Sequence, residues 1–402
     1  MLTYGVVADG SLRIAHAKGE VKDRYWNPGG VFDAVHVVVL ADDDLPPALV
    51  QRVAGDAHLE LHPVGRPQPH TLLRLREEVQ RVFARVRPDV IRGHGPFLQG
   101  YYAVHAARSL GLPCFVSIHD DVSIYRRFWT YGKGYARITA YQVLLKALGW
   151  ERYVYRHADR LVPKYLAAGR LLARSPYRDK VEVIYNQVHL ERFGDLQPRL
   201  QPGERLRIIS VGRQFAGKDQ RPLIEALSGI DAELTLVGTG PLRPKLVRAA
   251  RRCGVTDRVR FIDAVPNHEL PALYAGHHAF AMNILQPGIS MTVMEAMALG
   301  FPVILNRPRW EPLPEVAGEA ARVVEGTAEG FRAAFAGLLS DHEQVAVLGR
   351  RSRQAILPYS GERMELQEKE LILSLLDRTG AWPGIRSGRA TGETSPAEPR
   401  HG

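Results

Sequence analysis

The stretch QPGISMTVMEAMALGFPVI, residues 286–304, reads as a glycine-containing loop, a short helix, a glycine stop and a buried strand. The helix is apolar nearly all round, through Val293, Met294, Ala296, Met297, Ala298 and Leu299, with one carboxylate, Glu295. A helix with no polar face belongs in a core, and a charge carried into a core needs a partner. Two partners fit Glu295. Thr292 and Glu295 have the spacing of a T-x-x-E capping box, in which the carboxylate satisfies backbone N–H groups at the helix start. The other partner is a ligand that offers hydroxyls while the helix N-terminus holds its phosphates.

Working outward, strand-like apolar runs alternate with helical patterns, which predicts parallel sheets flanked by helices. Upstream of residues 286–304, LRIISVGR, ELTLVGTG, RVRFIDAV and HAFAMNI read as strands of one unit. Before them, ERFGDLQPRLQPGER (191–205) is polar and carries Gly and Pro, the composition of a linker. The first half repeats the alternation. Its strands are TYGVVAD (3–9), FDAVHVVVLA (32–41), PDVIRGH (88–94), CFVSIHDD (114–121), RLVPKY (160–165) and KVEVIYN (180–186), with helices over 70–87 and 98–110. The predicted organisation is an N-terminal domain over 1–192, a linker over 193–204 and a second domain over 205–350. C-terminal helices over 351–378 are expected to turn back towards the first domain, followed by a disordered tail over 379–402.

Composition narrows the function. A chain of 402 residues has room for two or three domains at about 150 residues each. Two cysteines, Cys114 and Cys253, form neither a metal-ligand pattern nor a disulfide framework, so a reducing cytoplasmic setting is expected. No basic leader or membrane-length apolar run appears. The net charge of +10 favours an anionic partner, yet no nucleic-acid motif accompanies it, so a nucleic-acid partner is not expected. Residues 125–160 interleave aromatics with Arg and Lys. They read either as a contact with an anionic membrane surface or as an amphipathic helix with a solvated basic face.

The chemistry gathers at strand ends, where open α/β sheets bind ligands. His94 closes one predicted strand, and His119 with Asp120 closes its neighbour. In SVGRQFAGKDQ (210–220), Arg213 and Lys218 project beyond a strand and a glycine turn, an arrangement suited to a diphosphate. VGTGP (237–241) lacks the third glycine of a nicotinamide fingerprint, since Arg243 stands there. No phosphate-loop lysine motif, serine elbow or zinc cluster is present.

In order, these pieces resemble the retaining family-4 glycosyltransferases (glycosyl transferase group 1). PDVIRGHGP, FVSIHDD, HADRLVPKY, VEVIYNQVHLERF, SVGRQFAGK, LTLVGTGPLRPKL and VRFIDAVPNHELPALYA fall in family sequence, and PGISMTVMEAMALGFPVI matches best. The resemblance implies a GT-B fold, in which two Rossmann-like, doubly wound domains face an interdomain cleft. It implies transfer of a hexose from a sugar nucleotide to a glycan, lipid-linked or small-molecule acceptor with retention of configuration. No catalytic metal is implied, nor any cofactor beyond the donor itself. Arg213 and Lys218 would neutralise the diphosphate, Glu295 would bind the ribose, and Gly288, Ile289, Ser290, Met291 and Thr292 would approach sugar and phosphates. His119 would face the transferred sugar, with His94, Asp120, Gly29 and Gly30 on the acceptor side of the cleft.

Three departures stand out. The family pairs two glutamates with seven residues between them, and Pro287 occupies the first position, beside Gln286. The family's early glycine-rich loop is represented by Asn27-Pro28-Gly29-Gly30, displaced along a longer loop. RPRWEPLPE (307–315) replaces the usual glycine pair. These changes keep two alternatives open, a catalytically degenerate scaffold and a sugar-nucleotide epimerase on the same fold.

Overall fold

Two parallel six-stranded sheets form the frame of a computed structural model. It describes the chain except residues 9, 10, 18, 120–143, 189, 191–193, 286, 287, 308–312 and 379–402. The expected tail and most of the basic aromatic run therefore lie outside the described residues. The first sheet holds β1 (Thr3–Val7), β2 (Ala34–Val39), β3 (His58–Pro63), β4 (Val90–His94), β5 (Cys114–Ile118) and β6 (Arg160–Pro163), in the order β3-β2-β1-β4-β5-β6. The second holds β7 (Leu206–Val211), β8 (Ala232–Val237), β9 (Val259–Ile262), β10 (Ala279–Met282), β11 (Val303–Asn306) and β12 (Arg322–Val324), in the order β12-β11-β10-β7-β8-β9. Both are the doubly wound Rossmann order, with its reversal between β1 and β4 in one sheet and between β7 and β10 in the other.

The strands form where near-continuous Val, Ile and Leu runs are covered on both faces, as parallel sheets require. β1, β4 and β5 are buried at every position. Three details differ from the sequence reading. HLELHP (58–63) is an edge strand that the sequence reading did not single out, because its alternation rests on two apolar residues, Leu59 and Leu61. Arg322–Val324 adds a second short edge. KVEVIYN pairs only through an isolated bridge from Val181 to Leu161 and is not a strand.

One apolar cluster runs from the first sheet through Tyr165 and Val188 to Val293, Met297 and Phe301 in the second. The helix Gly361–Arg378 joins it through Leu371, Ile372 and Leu375, and so lies against the first domain. Charges hold it there. Glu365 accepts from the Gly29 backbone N–H at 2.8 Å and pairs with Arg24 at 2.9 Å. Glu368, buried in the same helix, pairs with Arg92 of β4 at 2.5 Å and with Lys164 beyond β6 at 2.8 Å.

Candidate active site

The reversal of strand order decides where the second domain presents its polar groups. β7 and β10 are neighbours, so the loops leaving their carboxyl ends converge. Backbone and side-chain bonds pin the two loops together. Leu285 N donates to Gly217 O at 2.9 Å, and Asn283 Nδ2 donates to Asp219 O at 2.9 Å. Lys218 Nζ then reaches Ser290 Oγ at 2.8 Å, and Ser290 Oγ lies 3.0 Å from Thr292 Oγ1. Ser290 is the N-cap of the helix Met291–Ala298, whose side chain makes no capping bond and so is turned to the lysine.

That boundary removes the capping box. With Ser290 at the N-cap, Glu295 lies a turn too deep to reach back to the helix start, and among the described residues its carboxylate has no hydrogen-bond partner. Glu295 is buried yet lines the cleft. Burial raises its pKa to about 7, opposed by Lys22 and Lys218 and reinforced by Glu20. Burial likewise lowers Lys218 to about 8, with Glu295 pulling the other way. A largely desolvated cation beside a carboxyl near its titration point is an arrangement suited to an anionic ligand that carries hydroxyls.

Arg213 leads out of β7 and is exposed, its guanidinium carbon 5.9 Å from the Phe215 ring centre. The VGTGP turn positions it. Gln214 N donates to Thr239 O at 2.9 Å, and Gly212 N donates to Val237 O at 2.9 Å. Gly238 has φ +127°, and a Cβ there would stand 2.4 Å from Gly212 O. These glycines allow two loops to touch; they do not form a nicotinamide site.

The first domain faces this arrangement across a cleft of about 820 Å³. His94 and His119 both line it, their rings stacked at 5.4 Å and 9°. Trp26 Nε1 donates to His94 Nε2 at 3.3 Å. His119 Nε2 is buried with no hydrogen-bond partner among the described residues. Burial, with Lys164, Arg92 and Lys22 nearby, lowers the His119 pKa to about 3, and His94 also falls well below the usual histidine range. Both rings are neutral at pH 7. His119 can therefore exchange a hydrogen bond with a neutral hydroxyl but is not a cationic acid.

Asp120 lies outside the described residues. Gly29 and Gly30 do not line the cleft: Gly29 packs against the Gly361–Arg378 helix, where a Cβ would stand 2.5 Å from Lys369 Cδ. Gly29 belongs to a helix-docking surface, because the longer loop carries NPGG past the strand end, and a Cβ on Gly30 would meet nothing within 4 Å. The sequence reading missed Lys22, Tyr25 and Trp26, which bring a cation and two rings into the cleft. RYWNPGG was visible as an aromatic loop, but no periodicity marks which loop residues turn inward. Within the described part of the basic aromatic run, 144–160, the helix Trp150–His157 uses its aromatics for packing, with Trp150 stacked on Tyr101 at 4.1 Å.

The domains touch where the second-domain loop meets Tyr165. Gly288 has φ +90°, and a Cβ on it would stand 2.8 Å from the Tyr165 ring. Gly288→Ala is expected to cost about 1–3 kcal/mol of backbone strain and to shift the loop that carries Ser290. A lower Tm with weaker donor binding is the expected result; unchanged values in both would show that the contact is not tight. Glu315, in the segment that replaces the family's glycine pair, accepts from Tyr185 OH at 2.5 Å and makes a second tie between domains.

Comparisons with known proteins agree with this architecture. Residues 33–192 match the family described as Glycosyltransferase Family 4, and residues 205–341 match Glycosyl transferases group 1. A GDP-mannose-dependent alpha-(1-6)-phosphatidylinositol monomannoside mannosyltransferase of Mycobacterium tuberculosis is 32% identical over 173 residues, 40% of this chain and 45% of that protein. The chain thus matches less than half the length of that relative. A GDP-mannose-dependent alpha-mannosyltransferase of Mycolicibacterium smegmatis is 29% identical over 299 residues, covering 72% of this chain and 73% of that one. Among solved structures, Anabaena HepE in complex with UDP superposes with a TM-score of 0.71 over 93% of this chain and all of its own, at 16% identity, a likeness of fold. Among the described residues no helix is long and apolar enough to cross a membrane.

Proposed function

The chain belongs to the family-4 glycosyltransferases of group 1, with the GT-B fold, and from that premise we propose that it transfers a hexose from a nucleotide-diphosphate sugar with retention of configuration. The observation that carries the proposal is that Lys218 meets Ser290 at a helix N-terminus while Glu295, a turn further along that helix, lines the cleft together with His119, whose Nε2 has no hydrogen-bond partner among the described residues. The helix start and Lys218 hold the diphosphate, with Arg213 able to engage it in a bidentate fashion. Glu295 accepts from ribose hydroxyls. His119 bonds a hydroxyl of the sugar.

In the reaction the bond from the anomeric carbon to the phosphate oxygen breaks and a bond to the acceptor oxygen forms on the same face. The acceptor proton passes to the departing diphosphate oxygen. The protein's main task is to stabilise the charge that develops on that diphosphate. No metal or further cofactor enters this scheme. The names of the mycobacterial relatives make GDP-mannose the first donor to test, with glycan, lipid-linked and small-molecule acceptors.

Incubation with GDP-mannose and UDP-glucose, followed by NMR of the product anomer, tests the proposal. An α-linked product from an α-linked donor supports it. Conversion of donor without acceptor would show an epimerase instead, and an inverted product would exclude the same-face mechanism.

The Lys218 pKa adds a pH prediction. A lysine lowered to about 8 loses its charge as pH rises through 8. kcat/KM reports the free enzyme, so it should fall above about pH 8. kcat should hold to higher pH, because bound diphosphate favours the charged lysine. In Lys218→Arg the limb should move out of the accessible range. An alkaline limb unchanged in that variant would assign it to another group.

A further inference from the structure

The edge of the first sheet carries a second cluster of chemical groups, and none of them lines the cleft. β2 and β3 pair in parallel with His36 opposite Glu60 and Val38 opposite His62. Alternate strand residues share a face, so His58, Glu60 and His62 stand on one side of β3 with His36 beside the middle one. His36 Nδ1 lies 3.1 Å from His62 Nε2 and 3.2 Å from Glu60 Oε2. With one donor atom taken from each of the three residues, all lie within 4.8 Å of one another, the one such group of His, Cys, Asp and Glu among the described residues.

We infer that His36, Glu60 and His62 bind a borderline divalent transition-metal ion, zinc first, as a clip between β2 and the edge strand β3. Two imidazole nitrogens and a carboxylate are a zinc-type donor set, with water in the fourth position. Donor atoms around tetrahedral zinc, with bonds of about 2.0–2.2 Å, lie about 3.3–3.6 Å apart, so small side-chain rotations close the site. His62 is buried and His36 partly so, which limits their freedom, while exposed Glu60 leaves a path for the ion. A nitrogen-to-nitrogen contact of 3.1 Å needs a proton between the rings, and a metal ion takes that place. β3 ends its sheet, and an exposed edge gains from a fastening. One group opposes the ion: Arg85 Nη2 stands 3.5 Å from His62 Nδ1, on an exposed side chain that can swing aside.

The test uses the full chain stripped with a chelator and titrated with Co²⁺, then Zn²⁺. One equivalent of Co²⁺ should give the visible ligand-field absorption of a four-coordinate site, which Zn²⁺ displaces, and Zn²⁺ should raise the Tm. Glu60→Gln and His36→Gln should each weaken binding at least about ten-fold, the lower end of what even outer-shell changes cost at metal sites. Arg85→Gln should tighten it. Glu60 is exposed, so its variant keeps the fold even where the His36 variant does not. Absence of the absorption would overturn the inference and leave a hydrogen-bonded cluster. Binding retained in Glu60→Gln would also overturn it, by placing the ion elsewhere on the chain.

Discussion

Lys218→Ala is expected to lower turnover by about a hundred- to a thousand-fold, equivalent to about 2.7–4 kcal/mol of transition-state stabilisation. The size follows from where the lysine sits. Its ammonium is largely desolvated, which burial shows by lowering its pKa to about 8, and it meets Ser290 at the N-terminus of the helix Met291–Ala298. A diphosphate charge developing there would have little water to solvate it, so a fixed cation and the helix start would carry the stabilisation. Arg213→Ala should fall in the same range, with more of its loss in donor KM because the arginine is exposed to water. Steady-state kinetics on both variants checks this. If both stay within a few-fold of the wild type, the diphosphate is held elsewhere.

The second large effect concerns stability. Glu368→Ala should destabilise the protein by about 3–5 kcal/mol, because it leaves Arg92 and Lys164 buried without their counter-ion. Arg92 has further partners, donating to Ser117 Oγ at 3.0 Å and to Tyr25 O at 3.2 Å, but neither neutralises it. The effect is also pH-linked. Burial pushes the Glu368 carboxyl up, but Arg92 and Lys164 outweigh it, and the group ends below the usual carboxylate range. A depressed carboxyl contributes stability that is present above its unfolded pKa and lost as pH falls through the folded one. Wild type should therefore lose stability on acidification more steeply than Glu368→Gln. Urea unfolding as a function of pH measures both, and a loss under about 1 kcal/mol in the alanine variant would show that the Glu368 ion pairs do not hold the C-terminal helix.

Much of the fold was legible because the chain spells it in long apolar runs. β1, β4, β5 and the Met291–Ala298 helix are buried nearly throughout, so their composition alone marks them. Elements at sheet edges were not legible. HLELHP offers only two apolar residues, Leu59 and Leu61, to its alternation, and RVV is too short to show a period. KVEVIYN misled in the other direction: its apolar spacing suits a strand, but it makes one isolated bridge, at Val181, and two backbone hydrogen bonds from Glu182 and Ile184 to the strand beside it, without forming a ladder.

The candidate site divides in the same way. Arg213, Lys218, His94 and His119 could be found at strand ends, since the doubly wound order dictates that such ends converge. Lys22 and Trp26 could not, because a loop's inward face has no sequence signature. Arg92 was visible as a lone charge within VIRGH, but its partner Glu368 is one acid among several in GERMELQEKELILSLLDR. Only the packing of that helix on the first domain selects it. His58, Glu60 and His62 alternate along one strand, but His36 joins them from the neighbouring strand, so the sequence does not display the whole cluster.

The central claim is that the cleft binds a nucleotide-diphosphate sugar through Lys218 and Arg213. Calorimetry of the wild type and of Lys218→Ala against a panel of GDP- and UDP-hexoses tests it most directly. One of these donors is expected to bind the wild type, with an affinity that falls at least about ten-fold in the variant, the loss of one charge-assisted contact. Binding of none of them, or equal binding by both proteins, would contradict it.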